Sequence, residues 1–155
     1  VVSDDDADPA VRVMLDRMDA PDGISIVYTA NRLGNGQASN VNSAFQTARH
    51  ARLVLMHDDD FFLPGGIDHL FRGWESSNDT IDACYGFQAI CNADGTVDEE
   101  ATLGNNHSYY RRVDMVGAQD SSLWAALIAQ LPNNGYMIRR SIALEVGYPM
   151  EAEVG

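Results

Sequence analysis

The feature that most constrains the fold is an alternation of short apolar runs with stretches of helical periodicity along the chain. The β-branched run Ile24–Tyr28 and the wholly apolar run Leu53–Met56 are each typical of a strand, the second buried on both faces. Between such runs, apolar residues return at the spacing of one helical face, as Val41 and Phe45 do. This order predicts an α/β fold, with a mostly parallel sheet flanked by helices, in a single domain over residues 1–155.

The boundaries of the predicted elements come from capping and turn residues. Strands are expected at Val1–Ser3, Ile24–Tyr28, Leu53–Met56, Ile81–Cys91 and Tyr136–Arg139. Helices are expected to start at Pro9 and at Pro64, and to cover Gln37–Arg49, Ser121–Gln130 and Ser141–Val146. The buried stripe of the helix after Pro64 is expected to consist of Ile67, Leu70, Phe71 and Trp74. The polar segment Val97–Gln119 is interpreted as a long loop.

The charge balance excludes several classes of partner. The chain has 10 basic residues, all of them Arg, and 23 acidic residues, which gives a net charge of −13. A protein that wraps nucleic acid needs a basic face, and so does one that adheres to anionic lipid. No run approaches the roughly 20 apolar residues of a membrane span, so no integral membrane segment is expected. An acidic chain without Lys favours a GC-rich or salt-adapted bacterial or archaeal source.

The two cysteines are expected to be unpaired. Cys84 and Cys91 lie seven residues apart on one predicted strand, and an odd spacing points their side chains to opposite faces. Two free thiols favour a reducing compartment. We therefore expect a cytoplasmic protein, peripheral to the inner membrane in its full-length form.

Acidic residues follow two of the predicted strands at the point where each strand ends. Asp4–Asp6 follows Val1–Ser3, and Asp58–Asp60 follows Leu53–Met56. Carboxylates packed this closely repel one another unless a cation or hydrogen-bond donors offset their charge, and ligands bind beyond the carboxyl ends of parallel strands. A hard divalent cation bridging to substrate phosphate fits such a site. The alternative is that these residues cap helices or form a solvated surface run.

The chain resembles a family 2 glycosyltransferase with the GT-A fold. The resemblance rests on the order of its motifs: Val-Ser-Asp-Asp-Asp at 2–6, a strand ending in Asn31, a helix led by Gly36 that bears Asn42 and Ala48, Leu-Met-His-Asp-Asp-Asp-Phe-Phe-Leu-Pro at 55–64, and the segment 139–151. It covers Val1–Thr96 and Gly135–Glu151. Relative to the family, the chain is expected to be a fragment that lacks the first strand and the C-terminal acceptor region.

The resemblance implies transfer of a sugar, with inversion, from a nucleotide diphosphate sugar to an acceptor hydroxyl. A UDP-sugar is the expected donor, and a saccharide or lipid-linked molecule the expected acceptor. By the same resemblance, the nucleotide is bound by Asp4, Asp5, Gly36 and Asp58. The metal, Mn²⁺ or Mg²⁺, is bound by Asp59, and by Asp60 if the Asp-x-Asp signature is instead satisfied by Asp58 and Asp60.

The same alignment leaves two positions open. His57 stands where the family signature has its first acid, and it either binds the metal, hydrogen-bonds a phosphate or packs as an ordinary histidine. The catalytic base is implied to lie beyond Gly155. A non-catalytic nucleotide-sugar-binding module of the same fold is therefore the alternative to an active enzyme.

Two further features have both a functional and a structural interpretation. The aromatic and basic run Tyr109-Tyr110-Arg111-Arg112 either holds an anionic acceptor or diphosphate, or forms a solvated loop. Trp124 either stacks on an acceptor sugar or is buried in the core, and burial is the expectation.

Overall fold

The computed structural model describes residues 1–34, 36–119 and 121–149, and the chain forms two compact units. The first unit consists of Val1–Leu53 together with Arg139–Gly155, and the second of Val54–Ile138. The strands are β1 (Val2–Asp4), β2 (Tyr28–Ala30), β3 (Arg52–Leu55), β4 (Ala83–Tyr85) and β5 (Tyr136–Arg139). The helices are α1 (Pro9–Leu15), α2 (Gln37–Thr47), α3 (Gly66–Ser76), α4 (Glu99–Ser108), α5 (Ser122–Leu127) and α6 (Arg140–Val146). The expectation of a single domain stays a prediction.

In the first unit, β1 and β2 pair in parallel, with Val2 opposite Tyr28 and Asp4 opposite Ala30. The observed strand β2 therefore begins at the last residue of the predicted strand Ile24–Tyr28. Its length of three residues matches the three residues of β1 with which it pairs. The helix predicted at Pro9 is present as α1, with Asp8 as its N-cap, although no residue of this helix is buried.

In the first unit, α2 makes hydrogen bonds to the segment that follows α6. The predicted face of α2 is present, with Val41 and Phe45 buried. Asn42 on this helix donates from Nδ2 to the carbonyl of Tyr148 at 2.9 Å and accepts from the Tyr148 N–H at 2.8 Å. Gly147 has φ of 60°, and a Cβ on it would meet Asn42 Oδ1 at 3.0 Å. A glycine is therefore required at this approach.

The second sheet has the order β3-β5-β4, and its strands are not parallel. β4 pairs antiparallel with β5, with Ala83 opposite Ile138 and Tyr85 opposite Tyr136. The N–H of Gly135 donates to Leu55 O, and that of Arg140 to Ala51 O, each at 2.8 Å, so β5 also runs antiparallel to β3. The α/β class is confirmed, but two small sheets of mixed direction replace the single mostly parallel sheet that the sequence predicted.

The core of the second unit forms under α3. Trp74 is 1% exposed and Met137 0%, and they pack together with Leu70. Trp74 also donates its indole N–H to Asp79 Oδ1 at 2.6 Å. The predicted stripe of this helix is therefore half correct, because Leu70 and Trp74 are buried whereas Ile67 and Phe71 are exposed.

Three other predictions are corrected. Leu53 and Leu55 are buried but Met56 is exposed, so β3 alternates and is not buried on both faces. The strand predicted at Ile81–Cys91 is reduced to β4, because only that stretch pairs with β5. Cys84 and Cys91 are both free thiols, as expected.

The predicted loop Val97–Gln119 is wrong, because it contains α4 and a 3-10 turn at Val113–Met115. Asp98 caps α4 by accepting from the Ala101 N–H at 2.9 Å. Glu99 and Glu100 occupy its first turn, where the helix dipole favours negative charge. The prediction failed because this helix has no apolar stripe, and its Gly and Asn residues have low helix propensity.

Candidate functional site

The first acidic group lies at the end of β1, in the first unit, and it is held by its own chain. Asp4 Oδ2 accepts from the Asp8 N–H at 2.8 Å and from the Tyr28 hydroxyl at 3.1 Å. Asp4 Oδ1 accepts from the Asp6 N–H at 3.2 Å. Loss of water around the phenol, together with its bond to Asp4, raises the pKa of Tyr28, so this hydroxyl stays a donor.

Asp5 and Gly36, both predicted to bind nucleotide, are in direct contact. Asp5 Oδ2 accepts from the Gly36 N–H at 2.8 Å, and Asp5 Oδ1 accepts from Asn31 Nδ2 at 2.6 Å. Gly36 has φ of 95° and directly precedes α2, whose N-terminal end favours a neighbouring anion. Each carboxylate oxygen has two lone pairs, so acceptor capacity remains on Asp5 for a ligand such as a nucleobase.

The sequence marks Asn31 only as the end of a strand, but in the structure its side chain connects Asp5 to α2. Its Nδ2 also contacts Ser39 Oγ at 2.8 Å, and its Oδ1 accepts from the Leu33 N–H at 3.1 Å. Asn is typical of loops, so its sequence signal gave no indication of this bridging role.

The second acidic group lies in the second unit, in the turn that follows β3. His57, Asp59 and Asp60 each place one potential metal-ligand atom within 4.8 Å of the others. Asp59 and Asp60 are exposed and His57 is partly buried. Asp58, which was predicted to meet the ribose, is exposed and is not part of this cluster. The structure thus brings together the two predicted metal ligands and adds His57 to them.

Asn134 is a member of this group that sequence reasoning missed. It lies just before β5, is 8% exposed, and donates from Nδ2 to Asp60 Oδ2. The same nitrogen lies 3.2 Å from His57 Nδ1. In the sequence this residue belongs to an Asn-Asn-Gly run, which indicates a turn and nothing more.

The donor set suits a hard divalent cation. Two neighbouring carboxylates supply oxygen ligands, which both Mg²⁺ and Mn²⁺ accept. The overall charge of −13 further favours cation binding. The residues present therefore fit the Mn²⁺ or Mg²⁺ ion that the sequence resemblance implied.

A comparison with protein-family models matches residues 1–128 to the family described as Glycosyl transferase family 2. The chain belongs to this family. Comparisons with curated proteins and with solved structures found no match. In this family 2 glycosyltransferase the matched range includes residues 97–128, which the sequence resemblance does not cover, and it excludes the segment from Gly135, which the resemblance does cover. Family membership supports glycosyl transfer as the general activity.

The two features with open interpretations have clear outcomes in this family 2 glycosyltransferase. Arg111 is buried at 6% exposure and is neither a solvated loop residue nor an exposed anion receptor. Arg112 is partly exposed, and one of its terminal nitrogens donates to Asp114 Oδ2 at 3.2 Å. Trp124 is 56% exposed, so its expected burial is wrong. In the part of the chain that the structure describes, no helix combines the length and apolar character that crossing a bilayer requires.

Proposed function

We propose that this family 2 glycosyltransferase binds a nucleotide diphosphate sugar together with Mn²⁺ or Mg²⁺ and transfers the sugar, with inversion, to an acceptor hydroxyl. The observation that carries the proposal is the cluster of His57, Asp59 and Asp60 directly after a strand, within the range matched to the family. A UDP-sugar is the proposed donor, and a saccharide or lipid-linked molecule the proposed acceptor.

The metal role is assigned to Asp59 and Asp60. Their adjacent carboxylates repel each other, and a divalent cation relieves that repulsion. When bound, such an ion neutralises the negative charge that develops on the leaving diphosphate. Asn134 donates from Nδ2 to Asp60 Oδ2, and this bond fixes the orientation of the Asp60 carboxylate.

The nucleotide role is assigned to Asp4, Asp5, Gly36 and Asp58. Asp5 is the best supported of these, because its two bonds to Asn31 and Gly36 fix its orientation. A carboxylate held in this way accepts hydrogen bonds from a nucleobase N–H without further loss of side-chain freedom. The exposed Asp58 is proposed to accept from a ribose hydroxyl.

The alternative is a nucleotide-sugar-binding module of the same fold without catalysis. The presence of His57 where the family signature has a carboxylate favours this alternative, because it leaves the metal one acidic ligand short. No residue among those described is assigned as the general base that removes the acceptor proton.

The test is turnover. The full-length protein is incubated with a UDP-sugar and an acceptor, and released UDP is measured with Mn²⁺ and with EDTA. The proposal expects release that needs the metal and that falls in Asp59→Asn, with Glu75→Gln, an exposed acid on α3, as the charge-matched control. Metal-dependent UDP-sugar binding without release, over a panel of acceptors, would instead support the binding module.

A further inference from the structure

We infer that Arg111 and Gln88 are positioning residues for Asp60, one of the two carboxylates assigned to the metal. Arg111 fixes which end of the Gln88 amide faces it, and Gln88 in turn fixes which atom of Asn134 faces Asp60. All four residues lie in the second unit. The effect on metal binding rests on the proposed function, whereas the orientation of the two amides does not.

Arg111 is a buried cation that can only donate hydrogen bonds. It is 6% exposed, and among the described residues no carboxylate forms an ion pair with it. Its Nε donates to Gln130 O at 2.8 Å, and one terminal nitrogen donates to Ala129 O at 3.4 Å. The other terminal nitrogen donates to Gln88 Oε1 at 2.8 Å, and a guanidinium has no acceptor to offer instead. The oxygen of the Gln88 amide, and not its nitrogen, must therefore face Arg111.

Gln88 is held in place by α4 and faces Asn134 with its amide nitrogen. Asn106 on this helix accepts from the Gln88 N–H at 3.0 Å and donates to the Gln88 carbonyl at 2.6 Å. With its amide oxygen engaged by Arg111, Gln88 has its Nε2 3.3 Å from Asn134 Oδ1 and 3.5 Å from the Asn134 carbonyl oxygen. A nitrogen with two hydrogens requires acceptors, so the side-chain oxygen of Asn134 faces Gln88 and its nitrogen faces the other way.

The nitrogen of Asn134 is therefore the atom presented to Asp60. Asn134 is 8% exposed and donates from Nδ2 to Asp60 Oδ2, and the same nitrogen lies 3.2 Å from His57 Nδ1. If this amide were turned over, its oxygen would face the Asp60 carboxylate, and two oxygens that both accept repel each other. The donor direction set at Arg111 thus decides whether Asn134 binds the Asp60 carboxylate or repels it.

The orientation of Asp60 depends on this bond. Its side chain is exposed, and among the described residues Asn134 is its one recorded hydrogen-bond partner. A carboxylate that is already held loses less side-chain entropy when it binds a cation. Partners that orient a metal ligand in this way contribute measurably to metal affinity. Arg111 and Gln88 contribute without touching the metal, because they fix the atom that Asn134 offers.

The first experiment determines the orientation of Asn134 by NMR in the ligand-free protein. We expect nuclear Overhauser effects from the Asn134 side-chain NH₂ to be stronger to the Asp60 β-hydrogens than to the Gln88 γ-hydrogens. Comparison with Asn134→Ala identifies the NH₂ signals. The reverse order of intensities would overturn the inference, whatever the outcome for nucleotide binding.

The second experiment turns the Asn134 amide over with Gln88→Glu. Glutamate still accepts from Arg111 but presents a second oxygen to Asn134, so the order of the Overhauser effects should invert. Mn²⁺ affinity, measured by calorimetric titration, should fall by at least about threefold. An added negative charge by itself attracts a cation, so this fall has the opposite sign to a charge effect. Gln46→Glu, the same change at an exposed position, should leave the affinity unchanged. A smaller fall or a gain in folded Gln88→Glu protein would refute the inference.

The third experiment tests Arg111 by comparing two substitutions, and it takes the place of the second should Gln88→Glu fail to fold. Arg111→Lys keeps a cation that only donates and should retain Mn²⁺ affinity within about threefold, whereas Arg111→Gln presents either amide atom to Gln88 and should lower it further. Equal affinities in the two variants would refute the role of Arg111. If Mn²⁺ does not bind the wild type, the proposed metal role fails, while the Overhauser effects measured without metal still decide the orientation of the amides.

Discussion

Asp59 and Asp60 are adjacent exposed carboxylates, and a chain folds without difficulty around residues of this kind. Replacing either with Asn removes a charge without changing its size. We expect Asp59→Asn and Asp60→Asn each to lower Mn²⁺ affinity at least about tenfold. Asp59→Asn should leave stability unchanged or slightly raised, because the two charges no longer repel each other. Calorimetric titration with Mn²⁺ and urea unfolding measure the two effects. A metal affinity equal to that of Glu75→Gln would contradict the assignment.

Trp74 illustrates a residue whose role is structural. Trp74→Phe removes the indole N–H that bonds Asp79 and leaves a small void beside Met137. We expect a loss of about 1–3 kcal/mol in the free energy of unfolding, measured in urea, without a change in Mn²⁺ affinity. Phe71→Leu on the exposed side of the same helix is the control and should cost little. Equal losses in the two variants would contradict the placement of the core.

The partly buried thiol of Cys84 makes the free energy of unfolding depend on pH. Loss of solvent around its thiol raises its pKa above the ordinary 9.0. Folding therefore favours the protonated form, and the contribution to stability is complete below the unfolded pKa and is lost as the pH rises through the folded pKa. We expect the free energy of unfolding to fall more steeply above about pH 9 in the wild type than in Cys84→Ala. Iodoacetamide should also modify Cys84, measured in Cys91→Ser, with a midpoint above 9.0. Identical pH slopes would contradict this account.

At the scale of elements, α2 and the end of α6 are joined by a pair of reciprocal hydrogen bonds between Asn42 and the Tyr148 backbone. Asn42→Ala leaves two partly buried backbone groups without these partners. We expect a loss of about 1–3 kcal/mol in the free energy of unfolding. Gln46→Ala, one turn further along the same helix but exposed, is the matched control. If both variants unfold at the same urea concentration, the contact does not stabilise the unit.

The elements also show which local signals were sufficient. β5 was predicted at its observed bounds because the apolar residues Tyr136–Ile138 directly follow a turn. α2 and α3 were predicted from their periodic faces. α4 was missed because it has no apolar stripe, although Asp98 and the acids after it are a local helix-start signal. The contact of Asn106 with Gln88 has no local signature. The sequence also carries no local signal for which strands pair, so it did not predict the antiparallel direction of β5.

At the scale of the whole molecule, the acids that end two strands could be found from the sequence, because strand ends and clustered carboxylates both leave local patterns. The partners of these acids could not. Asn134 reaches Asp60 across 74 residues of chain, and Asn31 reaches Asp5 across 26. Such contacts depend on which distant segments of the chain pack together, and no local sequence pattern reports that. The charge of Arg111 is evident in the sequence, but its burial results from tertiary packing and could not be predicted.

The central claim is that this family 2 glycosyltransferase binds a metal-bridged nucleotide diphosphate through its clustered aspartates. The most direct test is calorimetric titration of UDP, GDP and dTDP in the presence of Mn²⁺, repeated with EDTA and with the Asp59→Asn/Asp60→Asn double variant. The account predicts that UDP binds when Mn²⁺ is present and that this binding is lost in EDTA and in the double variant. Absence of binding by all three nucleotides with Mn²⁺, or equal affinity in the double variant, would contradict it.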